Sequence, residues 1–308
     1  MSTIEMTEVG PRDGLQNLRA VQTTAFKTEW IRREAAAGVR EIEVCSFVPP
    51  KLLPQFADAR EVVAAALQVP GLTVTALVPN LKGAENAIAA GVHRLSFTLS
   101  VSRTHSLANV RKTPDEQLVE FERIVQYRNR VAPGVLISGG LSTVFGCTYE
   151  GTVPEGEVRR LAEGLATAGA DDLSLADTVG YAAPAAVKRL VSAVRGDVGG
   201  KLAAIHLHDT RGLALANAVA AIEAGITTLD ASLGGLGGCP YAPGAAGNVA
   251  TEDLVFLLES LGLRTGIDMA RLLDVRAWLG ESLPTAPLYG ALSRAGLPKG
   301  WSAASSAA

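Results

Sequence analysis

The sequence predicts an α/β protein: a closed (β/α)8 barrel of the TIM type with its active site at the C-terminal face. Three observations predict it. Eight short β-rich runs alternate with longer helix-compatible runs along 308 residues, a length that suits one large barrel. No Gly-x-Gly-x-x-Gly follows the first run, as a doubly wound nucleotide-binding sheet would need. The residues able to carry chemistry sit at or just after the ends of the runs, and a barrel gathers those ends on one face.

The β-rich runs are residues 4–9, 41–46, 72–78, 93–99, 135–142, 172–177, 202–208 and 227–232. Ala, Leu and charged residues at helical spacing fill the intervals, as in 154–168 and 184–195. Ala37-Gly38-Val39, Ala90-Gly91-Val92 and Ala224-Gly225-Ile226 read as helix C-caps that lead into the next strand. A single catalytic barrel is expected over residues 1–290, with 291–308 as a C-terminal tail whose small, polar end frays.

Composition narrows the function. Hydrophobic residues make up 48%, enough for a sizeable core, and a net charge of −3 without a basic cluster argues against nucleic acid. No apolar run reaches membrane-spanning length, so no membrane association is expected. The start, Met-Ser-Thr-Ile-Glu-Met, lacks both a secretory and an Arg-rich transit pattern, and the expectation is a cytoplasmic protein. Cys45, Cys147 and Cys239 are odd in number and far apart, which suits free thiols in a reducing compartment.

Taken in strand order, the polar residues converge. Arg12 and Asp13 follow strand one in Gly10-Pro11-Arg12-Asp13-Gly14. Arg12 is suited to stabilise developing negative charge, or else forms a turn salt bridge with Asp13. Glu43 on strand two is a supporting carboxylate or a partner of Arg12. Asp177 ends strand six and either caps the following helix or serves as base or support. His206-Leu207-His208 ends strand seven with two imidazoles on one side of the strand. Such a pair binds one divalent ion, or forms a hydrogen-bonded core pair. Asp13 would add a carboxylate oxygen and Asn248 an amide oxygen, a set that suits Mg²⁺ or Mn²⁺, with Zn²⁺ or Co²⁺ as alternatives. After strand eight runs Gly-Gly-Leu-Gly-Gly-Cys-Pro-Tyr-Ala-Pro-Gly-Ala-Ala-Gly-Asn, residues 234–248. Its glycines and prolines exclude a helix and predict a ligand-covering loop, on which Cys239 exchanges a proton with substrate. The plain alternative is a cysteine packed as a small hydrophobe. His105, in the loop after strand four, contacts substrate or is a solvent-exposed loop histidine.

Together these motifs resemble 3-hydroxy-3-methylglutaryl-CoA (HMG-CoA) lyase. The likeness runs from Glu8 to about Leu263 and rests on six pieces: 9–17, Ser46-Phe47-Val48 with Pro54-Gln55, 78–83, Gly146-Cys147 with Tyr149-Glu150-Gly151, 206–210, and the highly specific loop 237–248. The resemblance implies a (β/α)8 lyase performing metal-dependent retro-Claisen cleavage of a tertiary 3-hydroxyacyl-CoA to acetyl-CoA and a ketoacid (acetoacetate from HMG-CoA), as in leucine catabolism. It implies Asp13, His206, His208 and Asn248 as metal ligands, Arg12 and Cys239 as catalytic, and Glu43 and Asp177 as their support. Gln16, His105 and Tyr149 are the substrate-binding residues expected, the partner is an acyl-CoA, and a homo-oligomer is expected.

Three departures from the lyase pattern stand out. The segment 100–109 is closer to the condensing relatives such as homocitrate synthases. Arg211-Gly212-Leu213 replaces the usual Tyr-Gly-Gln, and Cys147-Thr148-Tyr149 replaces part of the usual Cys-Pro-Tyr-Glu-Gly. They predict that HMG-CoA is cleaved poorly compared with a related thioester. A Claisen-condensing synthase of the isopropylmalate or homocitrate type is the alternative enzyme. It is disfavoured by the Gly-Cys-Pro-Tyr loop and by a C-terminal segment too short for the extra domain such synthases carry. A non-catalytic acyl-CoA- or metal-binding barrel is the third reading.

Overall fold

The structure, a computed structural model, describes residues 3–238 and 247–303. Eight parallel strands close into one barrel: β1 (Glu5–Glu8), β2 (Glu41–Ser46), β3 (Thr73–Leu77), β4 (Arg94–Ser100), β5 (Leu136–Ser142), β6 (Asp172–Asp177), β7 (Leu202–Leu207) and β8 (Thr228–Ala231). Each pairs with its sequence neighbours, and β8 returns to β1 with Glu5 opposite Thr228 and Glu8 opposite Ala231. The expected α/β barrel is therefore the observed one. Helices fill every interval, from Thr24–Ala37 between β1 and β2 to Thr251–Ser260 after β8.

Local sequence explains the helix ends. Gly38 and Gly91 end their helices at φ 108° and 90°, where only glycine avoids a steric penalty. Thr113 and Glu116 form a reciprocal capping box ahead of Pro114–Val131. Beyond residue 290 the chain still packs. Leu292 is buried, the Ala291 and Leu292 amides donate to Asp253, and the Trp301 ring lies 5.8 Å from Phe256.

Alternation along the strands sorts the side chains. Outward positions such as Ile42, Val44, Leu95, Ile137, Leu173 and Leu229 are fully or almost fully buried beneath the helices and form the hydrophobic core. The inward positions are polar: Glu41 and Glu43, Thr75, Arg94, Ser138, Asp172 and Ser174, His206 and Asp230 line a cavity of about 920 Å³. Many barrels fill this space with branched apolar side chains. Here a charged cluster spans it, with Arg94 paired to Glu41 at 3.1 Å and to Asp172. No helix among the described residues is long and apolar enough to cross a membrane.

Candidate active site

Arg12 and Asp13 ride on a single π-helical turn, Gly10–Gly14, that follows β1. Such turns widen the backbone spiral and recur at functional sites. Arg12 donates from Nε to Glu43 Oε2 and from Nη1 to Asp13 Oδ1 at 2.6 Å. Burial works against its charge, but Glu43, Asp13 and Asp230 outweigh it and hold the guanidinium ionised. Burial would likewise raise Asp13. Arg12, His206, His208 and the Asn248 amide overcome it and hold the carboxyl below its ordinary range.

His206 and His208 project from the end of β7 with their Nε2 atoms 3.1 Å apart. One ligand atom each from Asp13, His206 and His208 can be chosen so that all three lie within 4.8 Å of one another. Asn248 donates from Nδ2 to Asp13 Oδ2 at 2.7 Å and to the Leu236 carbonyl at 3.0 Å. Its Oδ1 is buried with no hydrogen-bond partner among the described residues. An orphaned amide oxygen beside a carboxylate and two imidazoles is a donor set that a divalent cation satisfies, so these residues fit a metal.

Sequence reasoning missed Asp230. It faces inward from β8 directly opposite His206, with Oδ2 3.4 Å from His206 Nδ1. Burial pulls His206 down, but Asp230 and then Asp13 outweigh it and hold the imidazole above its ordinary value. A carboxylate behind a ligand histidine fixes the tautomer and turns Nε2 toward the metal. The signal was available: Asp230 shares its inward parity with Thr228 on a strand paired to β7.

The roots of the glycine-rich segment lie against two of these candidate ligands, Asn248 and Asp13. A Cβ on Gly237 would come 2.5 Å from Asn248 Nδ2, and one on Gly247 would come 1.6 Å from the Gly235 carbonyl oxygen. Glycine is therefore required where the two ends of the segment meet each other and the candidate ligands Asp13 and Asn248. Cys239, expected on this loop, lies outside the described residues.

The remaining candidates divide. Gln16 and His105 line the cavity with Arg12 and Asp13. His105 is not an exposed loop residue. It sits in the first turn of the helix Arg103–Val110, 3% exposed, with Nδ1 2.9 Å from Ser100 Oγ. Burial keeps it below its ordinary pKa, against the pull of Glu150. Tyr149 does not line the cavity; it is half-exposed, its ring 6.3 Å from that of His105. Asp177 also faces away, because it shares outward parity with Leu173 and Leu175. Its two oxygens accept from the Tyr181 and Ala182 amides at 2.8 and 3.0 Å. That bonding shapes the turn after β6, close to the capping alternative and unlike a general base. Arg211 lies over the Tyr181 ring at 4.6 Å and donates to the Val179 and Gly180 carbonyls, outside the cavity lining.

Comparison with known proteins identifies the family. A family model described as HMGL-like matches residues 3–279. The chain belongs to the HMGL-like family. A hydroxymethylglutaryl-CoA lyase of Bacillus subtilis is 43% identical over 280 residues, covering 91% of this chain and 93% of that protein. The mitochondrial enzyme of Bos taurus is 40% identical over 280 residues, covering 91% and 86%. A crystal structure of the Bacillus subtilis HMG-CoA lyase superposes with a TM-score of 0.91 at 40% identity, covering 96% of this chain and 98% of that one. An HMG-CoA lyase from Acinetobacter baumannii, in complex with coenzyme A and 3-methylmalate, gives the same TM-score at 39% identity and 97% coverage of both chains.

Proposed function

We propose that this chain is a divalent-metal-dependent lyase that cleaves 3-hydroxy-3-methylglutaryl-CoA to acetyl-CoA and acetoacetate. The observation that carries the reading is the clustering of Asp13, His206, His208 and Asn248 beside Arg12 at one cavity, in a chain about 40% identical to HMG-CoA lyases over 91% of its length. Mg²⁺ or Mn²⁺ suits the mixed nitrogen and oxygen donors.

The reaction removes the proton of the C3 hydroxyl and breaks the C2–C3 bond. C3 becomes the ketone of acetoacetate, and the bonding pair passes to the thioester as an enolate. When bound, the cation supplies Lewis acidity that makes loss of the hydroxyl proton feasible near neutral pH. Asp13 or His206 stands ready to receive that proton. Arg12, oriented by Glu43 and Asp13, meets the charge that develops on the thioester oxygen. Gln16 and His105 contribute hydrogen-bonding groups to the cavity wall. We assign the final protonation of the enolate carbon to the Cys239 thiol on the strength of its motif. Cys239→Ser is expected to lower kcat far more than metal affinity, because a serine hydroxyl is too weak an acid to replace a thiol. Rapid-quench kinetics and Mn²⁺ titration of the variant check this; near wild-type kcat would leave the thiol without a chemical role.

Arg211 gives no support for a different acyl group, since its side chain is engaged on the turn after β6 and not with the cavity. Relatives about 40% identical and named HMG-CoA lyases favour HMG-CoA as the substrate over the poor cleavage expected from the three departures, although His105, Ala108 and Asn109 of segment 100–109 do line the cavity. The test is a panel of 3-hydroxyacyl-CoA thioesters read by acetyl-CoA release. HMG-CoA is expected to give the highest kcat/KM, within the ordinary range of about 10⁴–10⁸ M⁻¹s⁻¹. A clearly better thioester would reassign the substrate.

A further inference from the structure

Behind the active-site turn, away from the cavity, lie three carboxyls that the mechanism does not use. Glu8 on β1, Glu34 on the helix Thr24–Ala37 and Glu252 on the helix Thr251–Ser260 are each 1% exposed or less. Their roles differ. Glu8 Oε1 accepts from the Gly10 amide at 2.7 Å and from the Leu233 amide at 3.0 Å, and Oε2 accepts from the Thr251 hydroxyl at 2.6 Å. Glu252 accepts from the Gly234 amide at 2.9 Å and pairs with Arg276 at 3.0 Å. Glu34 faces the Glu8 carboxyl and the Trp30 ring, and its oxygens accept from no other described group.

The backbone groups that Glu8 holds are the ones that matter to the site. Gly10 opens the turn that carries Arg12 and Asp13. Leu233 opens the short helical turn Leu233–Gly235, which leads to Leu236 and Gly237 against Asn248 and Asp13. The fit at Gly10 is tight: a Cβ there would come 2.6 Å from Glu8 Oε1 and 2.7 Å from the Trp30 ring. One carboxylate thus ties together two segments more than 200 residues apart in sequence.

We propose that Glu8 is a positioning residue for the metal and Arg12 site: through the Gly10 and Leu233 amides it fixes the Arg12–Asp13 turn against the root of the glycine-rich segment, with Glu34 packed behind it as its partner. The proposal rests on the reading of Arg12 and Asp13 given above.

Charge bookkeeping explains the partner. The groups that face the cluster are Glu34, Glu252 and Asp253, with Arg276 as the cation, and Arg276 is engaged by Glu252. Glu8, with three donors aimed at its oxygens, is the natural site for a negative charge. Burial first, and then the charges of Glu8 and Glu252, push Glu34 well above the usual carboxylate range, so it holds a proton. Burial also raises Glu8, to about 7. The folded state therefore binds protons that the unfolded chain releases above its ordinary value of 4.5. Stability contributed by this cluster is greatest at low pH and falls as pH rises from about 4.5 through 7 and beyond.

The experiment combines three variants with Mn²⁺ affinity, steady-state kinetics and thermal unfolding between about pH 5 and 8. Glu8→Leu keeps the bulk but accepts no hydrogen bond. It is expected to weaken Mn²⁺ binding about tenfold and lower kcat by roughly 10²-fold with little change in KM, the scale of a small misplacement of reacting groups. Glu8→Gln restores an oxygen for the two amides, and its amide group can donate to Thr251; it is expected to recover most of that loss. Glu34→Gln has no proton to lose, so its melting temperature is expected to exceed that of wild type at pH 8 and to fall less between the two pH extremes. If Glu8→Leu does not fold, Glu8→Asp, which withdraws the carboxyl by one methylene, is expected to show the same two losses. Wild-type Mn²⁺ affinity and kcat in the Leu or Asp variant would overturn the positioning role. An unchanged pH slope in Glu34→Gln would overturn the partnership. If wild type cleaves no HMG-CoA, the lyase reading fails by itself, and the Mn²⁺ series still decides the role of Glu8.

Discussion

Replacing Arg12 with glutamine is expected to lower kcat by about 10²- to 10³-fold or more, the scale of losing a charge partner of a transition state. KM should change far less. The expectation comes from how Arg12 is held. Glu43 takes Nε and Asp13 takes one Nη, so the fork is oriented before substrate arrives, and the surrounding carboxylates keep it charged despite burial. Glutamine retains a donor but no charge, and it strands Glu43, a carboxyl with 4% side-chain exposure that burial already pushes up. Steady-state kinetics distinguish the roles: a loss confined to KM would make Arg12 an anchor for substrate and not a group that meets developing charge.

Asp13→Asn is the second large effect. Asp13 is the one anionic donor among the four residues assigned to the metal, and it also takes hydrogen bonds from Arg12 and Asn248. Removing its charge is expected to weaken Mn²⁺ binding by more than about 10²-fold. Asp230→Asn, which acts through His206, should cost within the roughly 10- to 100-fold typical of an outer-shell partner. Both effects are measured by calorimetry or by Mn²⁺ resonance. Affinity in the wild type should fall as pH falls. Asp230 and Asp13 hold His206 above its ordinary value against the opposing effect of burial, so protons compete with the metal for its imidazole. Equal affinities for wild type and Asp13→Asn would remove Asp13 from the ligand set.

The barrel was legible because its signal is local. Runs of β-branched and apolar residues located all eight strands, three of them preceded by Ala-Gly-Val or Ala-Gly-Ile caps, and β2 and β6 begin and end at the residues expected. The histidine pair was legible for the same reason, since His206 lies on β7 and His208 just past its end, two residues apart. What depends on facing was harder. Asp177 ends its strand as expected, yet parity with Leu173 and Leu175 turns it toward the helices, while Asp230, on β8, turns inward to His206. Ser102 caps the helix that buries His105 by accepting from the His105 amide, a short polar cue within a segment that otherwise reads as loop. The Glu8, Glu34 and Glu252 cluster joins three elements distant in sequence. No spacing rule reaches that far; only closure of the barrel brings Thr251 to Glu8.

The central claim is that Asp13, His206, His208 and Asn248 hold a divalent ion at which HMG-CoA is cleaved. The most direct measurement is to incubate the purified, chelator-stripped protein with HMG-CoA, with and without added Mg²⁺ or Mn²⁺, and to separate and quantify the products. No turnover is expected without metal, and equimolar acetyl-CoA and acetoacetate once metal is restored, with His206→Ala inactive under both conditions. Full cleavage in verified metal-free protein, or tight Mn²⁺ binding without any release of acetyl-CoA, would contradict it.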